Sequence, residues 1–213
     1  VTNFNQMFNS AITFDSSVSG WVPSSAMNMS QMFYNTYAFN QPIDWTETGS
    51  VTNMSQMFYN ADDFSQDLNS LDTSSVTNMS QMFYSTELFN GSISDWDTSA
   101  VTNMSQMFYA AEAFSNSDGI DDWDTGNVTT MQQMFRSSVF NQPIGPWDTG
   151  NVTDMSYMFQ DNEEFDQPVG AWDTSKVTTM YRMFSDATSF DQDLHGWDTG
   201  NVTGTGMVDM FYG

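Results

Sequence analysis

Apolar and polar positions along this chain recur with a period of 25 residues from one end to the other. The phrase VTNMSQMFY stands in full at Val51, Val76 and Val101, and degraded copies start at Val1, Ala26, Val128, Val152, Val177 and Val202. Successive starts are 25, 25, 25, 25, 27, 24, 25 and 25 residues apart. A period in this range marks stacked supersecondary units, each of which buries its apolar side only against its neighbours. Residues 1–213 therefore read as a single solenoid of about eight 25-residue repeats, with no internal linker.

Within one repeat the spacing predicts a short helix. Counted from Val51, the residues Met54, Met57, Phe58 and Ala61 fall at +3, +6, +7 and +10, the spacing of one buried helical face. Asn53, with Gln56 three residues on, resembles a capping box at its start. Two or three turns of helix do not survive alone, so stacking has to hold them. The next column is Phe14, Phe39, Phe64, Phe89, Phe114, Phe140, Phe165 and Phe190. An aliphatic follows most of these four residues later: Val18, Ile43, Leu68, Ile93, Ile144, Val169 and Leu194. The column Trp21, Trp45, Leu71, Trp96, Trp123, Trp147, Trp172 and Trp197 then leads into a turn that usually reads WDTG or WDTS. This second half, short and carrying Pro42, Pro143 and Pro168, reads as an extended segment with one very short parallel strand. The expected fold is an α/β repeat solenoid with one short strand and one short helix per turn. Because strands stack about 4.8 Å apart and helices about 10 Å, it should curve with its strands inside.

Met, Phe and Trp at these spacings are core ladders, with Met filling the gaps between rings. Composition agrees that the chain folds: 18 Phe, 18 Met and 7 Trp in register are not the make-up of a disordered acidic chain. There is no cysteine, so neither disulfides nor thiolate metal sites hold it together. No apolar run is long enough to span a membrane, and no signal peptide is present. The chain starts on Val and stops partway through a repeat, which reads as a mature product or a fragment without evident polar caps.

The formal charge is −24, from 27 acids against Lys176, Arg136 and Arg182. Phosphate binding needs clustered Lys or Arg, so nucleic acid is excluded as a partner, and anionic membrane surfaces fit no better. Catalysis also finds little to work with. His195 is the single histidine and reads as a surface residue, and no phosphate loop or HExxH pattern occurs. The reading is that of a non-enzyme.

Four polar features remain as candidate chemistry. Tyr34, Tyr59, Tyr84 and Tyr109 fall at +8, about 150° from the buried face of the expected helix, and form a stripe for glycan or lateral protein contact. Asp72, Asp97, Asp124, Asp148, Asp173 and Asp198 each precede a Thr, namely Thr73, Thr98, Thr125, Thr149, Thr174 and Thr199. The simplest role for these pairs is to close a turn. Alternatively the pairs, Asp97–Thr98, Asp148–Thr149 and Asp173–Thr174 among them, line up as a surface row for cations, glycans or ordered water. Asp118, Asp121, Asp122 and Asp124 mark the repeat of 27 and are a weak candidate calcium loop, without EF-hand spacing. N-x-[ST] sequons stand at Asn28, Asn53, Asn78, Asn90, Asn103, Asn127, Asn151 and Asn201. In a eukaryotic secretory protein these could carry glycans, although Asn53 and its equivalents could instead be engaged as helix caps.

The pattern MxxMFxxAxxFNQxIxxWDTSxVTxM resembles the BspA-like leucine-rich-repeat surface proteins, which include the lipoprotein repeats of mycoplasmas, and the resemblance covers essentially the whole chain. It implies a right-handed leucine-rich-repeat-type coil on a cell surface or secreted, used in adhesion or as a scaffold, with no catalytic residues. The lipoprotein cysteine and the anchor of such proteins are missing here, and the acidity is unusual. The expected function is thus an extracellular or cell-surface structural or adhesive repeat protein without cofactor. Its expected partners are surface glycans or proteins or further copies of itself, end to end or laterally in a filament. Ice binding through the Thr73–Thr199 row is the alternative from a different class.

Overall fold

The computed structural model describes residues 2–115 and 119–213. It is a stack of coils, one per repeat, but the expected α/β architecture is wrong. Among the described residues the one helical element is a single 3-10 turn, Ile120–Asp122. Strand pairing is reduced to isolated parallel bridges that link Asn3, Asn28, Asn53, Asn78, Asn103, Thr130, Asp154 and Thr179 in sequence. These lie in the VTN segment, not in the Phe-to-Trp segment where a strand was expected.

The backbone between +3 and +10 explains why no helix forms. Met57, Tyr59 and Ala61 donate their N–H groups three residues back, to the carbonyls of Met54, Gln56 and Phe58 at 3.2, 3.3 and 3.0 Å. The intervening N–H groups of Met54, Gln56, Phe58 and Asn60 leave the coil instead. They reach the carbonyls of Asn78, Ser80, Met82 and Tyr84 in the next coil at 2.9–3.0 Å. Such alternation requires a left-handed residue twice per coil, and Gln56 and Asn60 have φ of 57° and 52°. The same two positions are left-handed in coil after coil, as Gln31 and Asn35, Gln81 and Ser85, and Gln106 and Ala110 show. Each is the third residue of a tight turn, where a type II turn demands positive φ. The segment is a ribbon of turns that uses every second N–H to bind its neighbour.

Stacking distance selects this ribbon over the helix. Helices pack 8–10 Å apart, whereas hydrogen-bonded backbones lie about 4.8 Å apart. A ribbon of turns allows the whole circumference of each coil to stack at the shorter distance, so identical side chains meet directly. The apolar spacing +3, +6, +7, +10 serves the ribbon as well as it would serve a helix: Met54, Met57, Phe58 and Ala61 are fully buried, as are Met79, Met82 and Phe83. With no helix to cap, Asn53 accepts the N–H of Ser55 at 2.9 Å, and Gln56 pairs with Gln81 at 2.6 Å.

The core runs along the stack as columns of rings. Phe33, Phe58, Phe83, Phe108 and Phe135 follow one another at 5.5–5.7 Å between centroids, with interplanar angles of 1–7°. Trp96, Trp123 and Trp147 do so at 6.2–6.3 Å. From Trp45 onward each indole finds a partner for its one donor in the coil before. Trp45 Nε1 donates to Val18 O at 3.0 Å, Trp96 to Leu68 at 3.0 Å and Trp172 to Ile144 at 3.1 Å.

The FNQ motif has a comparable task. Asn40 Oδ1 accepts the N–H of Ser65 at 3.1 Å and the side-chain amide of Gln66 at 2.8 Å, one coil on. Asn141 and Asp166 do the same for their successors. Gly91 shows how close the coils come, since a Cβ there would lie 2.1 Å from Gln66 O.

The last repeat carries an insertion that the start at Val202 conceals. Arg182 N–H meets the carbonyl of Val208, and Phe184 stacks on Phe211 at 5.7 Å. Met207, Asp209, Met210, Phe211 and Tyr212 therefore take the places of Met, Gln, Met, Phe and Tyr in MSQMFY, two residues later than counting from Val202 gives.

Candidate surface ladders

Four tyrosines at the +8 position form a continuous stack. Tyr34, Tyr59, Tyr84 and Tyr109 have ring centroids 4.6, 4.4 and 4.4 Å apart and interplanar angles of 12°, 5° and 1°. All four are half-buried. The stripe exists as expected from the spacing, but the rings present edges and hydroxyls, because their faces cover one another. Sugar stacking needs an open face, and within the row there is none. At the Tyr109 end the Arg136 guanidinium lies 5.5 Å from the ring centroid, and equally 5.5 Å from that of Tyr157, bridging the two by cation–π contact. Burial, with the neighbouring phenols Tyr109 and Tyr59 adding to it, pushes the Tyr84 hydroxyl up to about 12. The Tyr59 hydroxyl is raised for the same reasons.

Beside the tyrosines runs an amide ladder. The side chains of Gln6, Gln31, Gln56, Gln81, Gln106 and Gln133 donate each to the next, at 2.5–2.6 Å in most pairs. The column then changes character: Tyr157 follows, and Arg182 pairs with Asp209 at 2.9 Å.

The Asp–Thr pairs divide their labour. Each Asp is exposed and closes a turn on itself: Asp97 Oδ1 accepts the Ser99 N–H at 2.9 Å, and Asp148 and Asp173 accept those of Gly150 and Ser175 at 2.9 Å. The Ser99 hydroxyl and N–H hold the Asp97 carboxyl below its ordinary range, and those of Ser175 do the same for Asp173. The threonines are buried as far as Thr174, and Thr199 in the last turn is exposed. Thr98, Thr149 and Thr174 are 1% exposed, and their hydroxyls donate to the carbonyls of Asp124, Asp173 and Asp198 in the next coil at 2.9–3.0 Å. From Thr73 to Thr174 this row offers no hydroxyls to solvent.

A different threonine column does. Thr52, Thr77, Thr102, Thr129, Thr153 and Thr178 follow the buried Val position and are exposed. Each hydroxyl donates to the carbonyl one coil back, that of Met27 for Thr52 and of the preceding Thr for the rest, at 3.0–3.3 Å. One repeated hydrogen bond fixes one rotamer throughout, so the methyl groups align as well. The alternation of Val51 in, Thr52 out and Met54 in was the sequence signal for this column.

The remaining candidates are scaffold-bound. Asn28, Asn53, Asn78 and Asn103 each accept a serine N–H two residues on, at 2.8–2.9 Å. Asn127, Asn151 and Asn201 donate to carbonyls one coil back at 2.6–2.7 Å. Asn90 accepts the Ser115 N–H at 3.2 Å. Asp118 lies outside the described residues. Asp121 and Asp122 belong to the 3-10 turn and Asp124 accepts the Gly126 N–H. Among the described residues no three His, Cys, Asp or Glu side chains gather where they could hold a metal ion. His195 is exposed and pairs with Asp193 at 2.8 Å. Among the described residues no helix is long and apolar enough to cross a membrane.

A further acidic ridge was not anticipated. Asp62, Glu87 and Glu112 occupy one column beside the tyrosines, and burial, with Glu87 and Asp63 nearby, raises the Asp62 carboxyl above its ordinary range. Val139 interrupts the column before Glu163, and a hollow of about 310 Å³ opens there between Glu112, Asp161, Glu163 and Glu164.

No curated protein matches the chain at a significant level. A family described as "Mycoplasma protein of unknown function, DUF285" matches residues 1–61, 42–119 and 115–213, which together take in the entire sequence. The chain belongs to this DUF285 family of repeat proteins.

Proposed function

We propose that the chain is a structural and adhesive repeat protein of the cell surface or the extracellular space, which presents identical contact elements at a fixed spacing and catalyses nothing. The observation that carries this reading is the continuity of its exposed ladders. Thr52 to Thr178, Asp72 to Asp198 and Tyr34 to Tyr109 each repeat the same group coil after coil. A group repeated in this way belongs to a surface and not to one reaction centre. Weak contacts held in register add through effective concentration, which suits adhesion to a repeating partner.

Two partner classes follow. Surface glycans or proteins would meet the hydroxyl and carboxylate edges by hydrogen bonding, because the tyrosine faces are covered. Another copy would meet the outer coils, where Met7, Ile12, Trp21 and Val22 at one end and Met207, Val208, Phe211 and Tyr212 at the other are exposed. The coil geometry can be continued there, and a filament is the result if copies continue it. Negative-stain electron microscopy and a glycan array on the same preparation test the proposal. Filaments or saturable binding to arrayed glycans support it; isolated particles that bind no glycan and no cell surface contradict it.

The exposed Thr52–Thr178 column favours a second reading, ice binding, at a different row from the one the sequence suggested. Thermal hysteresis that disappears in Thr102→Lys with Thr129→Lys would establish it, and its absence in the unaltered chain rejects it.

A further inference from the structure

Four phenols in contact, half-exposed and in line, form an arrangement with chemistry of its own. We propose that Tyr34, Tyr59, Tyr84 and Tyr109 are a site of oxidative cross-linking, where a one-electron oxidant, such as a peroxidase with hydrogen peroxide, joins neighbouring rings into dityrosine.

The geometry supplies what the coupling needs. Dityrosine forms when two phenoxyl radicals join through the ring carbons ortho to their oxygens. The partners must therefore meet before either radical is quenched. Here each ring already lies 4.4–4.6 Å from the next in near-parallel register, which sets equivalent carbons against one another. The ring edges reach solvent, so a small oxidant has access. The same exposed edges let each departing hydroxyl proton pass to water.

The balance is closed. Each of two neighbouring phenols loses its hydroxyl proton and one electron. The two ortho carbons form one bond, and the hydrogen on each then moves to its ring oxygen, restoring both aromatic rings. Hydrogen peroxide takes the two electrons and two protons and leaves as water.

The consequence fits a chain without cysteine. A bond between Tyr59 and Tyr84 would tie residues 25 positions apart. It would shrink the unfolded ensemble as a disulfide does, in a setting that oxidises tyrosine. The other tyrosines serve as internal controls. Tyr157 and Tyr181 meet edge to face at 78°, not in a parallel stack.

The test treats the folded chain with peroxidase and hydrogen peroxide. Dityrosine fluorescence and intact mass are read on the monomeric fraction, and linked peptides are identified after proteolysis. The expected product is a monomer lighter by two hydrogens per bond, with links between Tyr34 and Tyr59, Tyr59 and Tyr84, or Tyr84 and Tyr109. Tyr84→Phe keeps the ring but leaves one of the three neighbouring pairs, so the initial rate of dityrosine formation should fall about threefold. Tyr59→Phe combined with Tyr109→Phe leaves no neighbouring pair and should abolish the product. An equal yield from urea-unfolded chain, links that favour the tyrosines outside the stack, coupling solely between molecules, or an unaffected double variant would each overturn the proposal.

Discussion

The hydroxyl of Thr149 donates to the backbone carbonyl of Asp173, 3.0 Å away in the following coil, with the threonine 1% exposed. The bond joins two consecutive WDT turns, and it recurs between Thr48 and Asp72, Thr73 and Asp97, and Thr125 and Asp148. A buried polar group is costly when unpaired, so the hydroxyl and the carbonyl need each other. Thr149→Val removes the donor at nearly constant volume and strands the acceptor. The variant should lose about 1–2 kcal/mol in a urea titration. A loss near zero would show that water or a backbone shift satisfies the Asp173 carbonyl.

The left-handed residues invite a test of opposite sign. Ala110 has φ of 51° and no side-chain hydrogen bond to compensate. Ala110→Gly removes the clash of Cβ with the backbone and should stabilise the chain by about 0.5 kcal/mol, after the extra entropy that glycine loses on folding. Ala110→Val, branched at the same position, should destabilise it by about 1–2 kcal/mol. The reverse order in thermal unfolding would exclude the ribbon of turns at this coil.

Asp62 and the turn aspartates should pull pH-dependent stability in opposite directions. The Asp62 carboxyl is raised from 3.8 by burial and by Glu87 and Asp63, so its stabilising form is the protonated one. Its contribution is full below 3.8 and fades as pH rises through the folded value. Asp97 and Asp173 are lowered, so theirs is present above 3.8 and lost as pH falls through the folded value. Asp62→Asn should therefore raise the melting temperature at neutral pH, with the advantage disappearing below 3.8. An advantage independent of pH would show that Asp62 acts through something other than its charge.

The tyrosine stack should be visible in alkaline titration. With the Tyr84 phenol pushed up from 10 to about 12, ultraviolet absorbance should keep rising well beyond the range of a free tyrosine. Tyr84→Phe should delete that late component. A raised acid stabilises the fold below its unfolded value, so the corresponding stability should be lost between 10 and about 12.

The core was legible in the sequence because burial depends on spacing alone. Met54, Met57, Phe58, Phe64, Leu68 and Leu71 face inward in either architecture. The backbone path was not legible, since Gln56 and Asn60 carry no outward mark of left-handed geometry; glycine, the usual sign, is absent there. The stripe from Tyr34 to Tyr109 could be read, but its covered faces follow from a coil spacing that helices would not have allowed. Thr98 and Thr149 were misplaced because a turn motif does not tell which of its two polar residues points inward. The shift in the last coil was readable all along: Met207, Met210, Phe211 and Tyr212 repeat the spacing of MxxMFY.

The central claim is that the segment from Met54 to Ala61 binds the next coil by alternate N–H groups and forms no helix. Solution NMR measures this through scalar couplings transmitted across hydrogen bonds. The account predicts couplings from the amides of Met54, Gln56, Phe58 and Asn60 to the carbonyls of Asn78, Ser80, Met82 and Tyr84, with positive φ at Gln56 and Asn60. Couplings from each amide to the carbonyl four residues back, with helical shifts throughout, would contradict it.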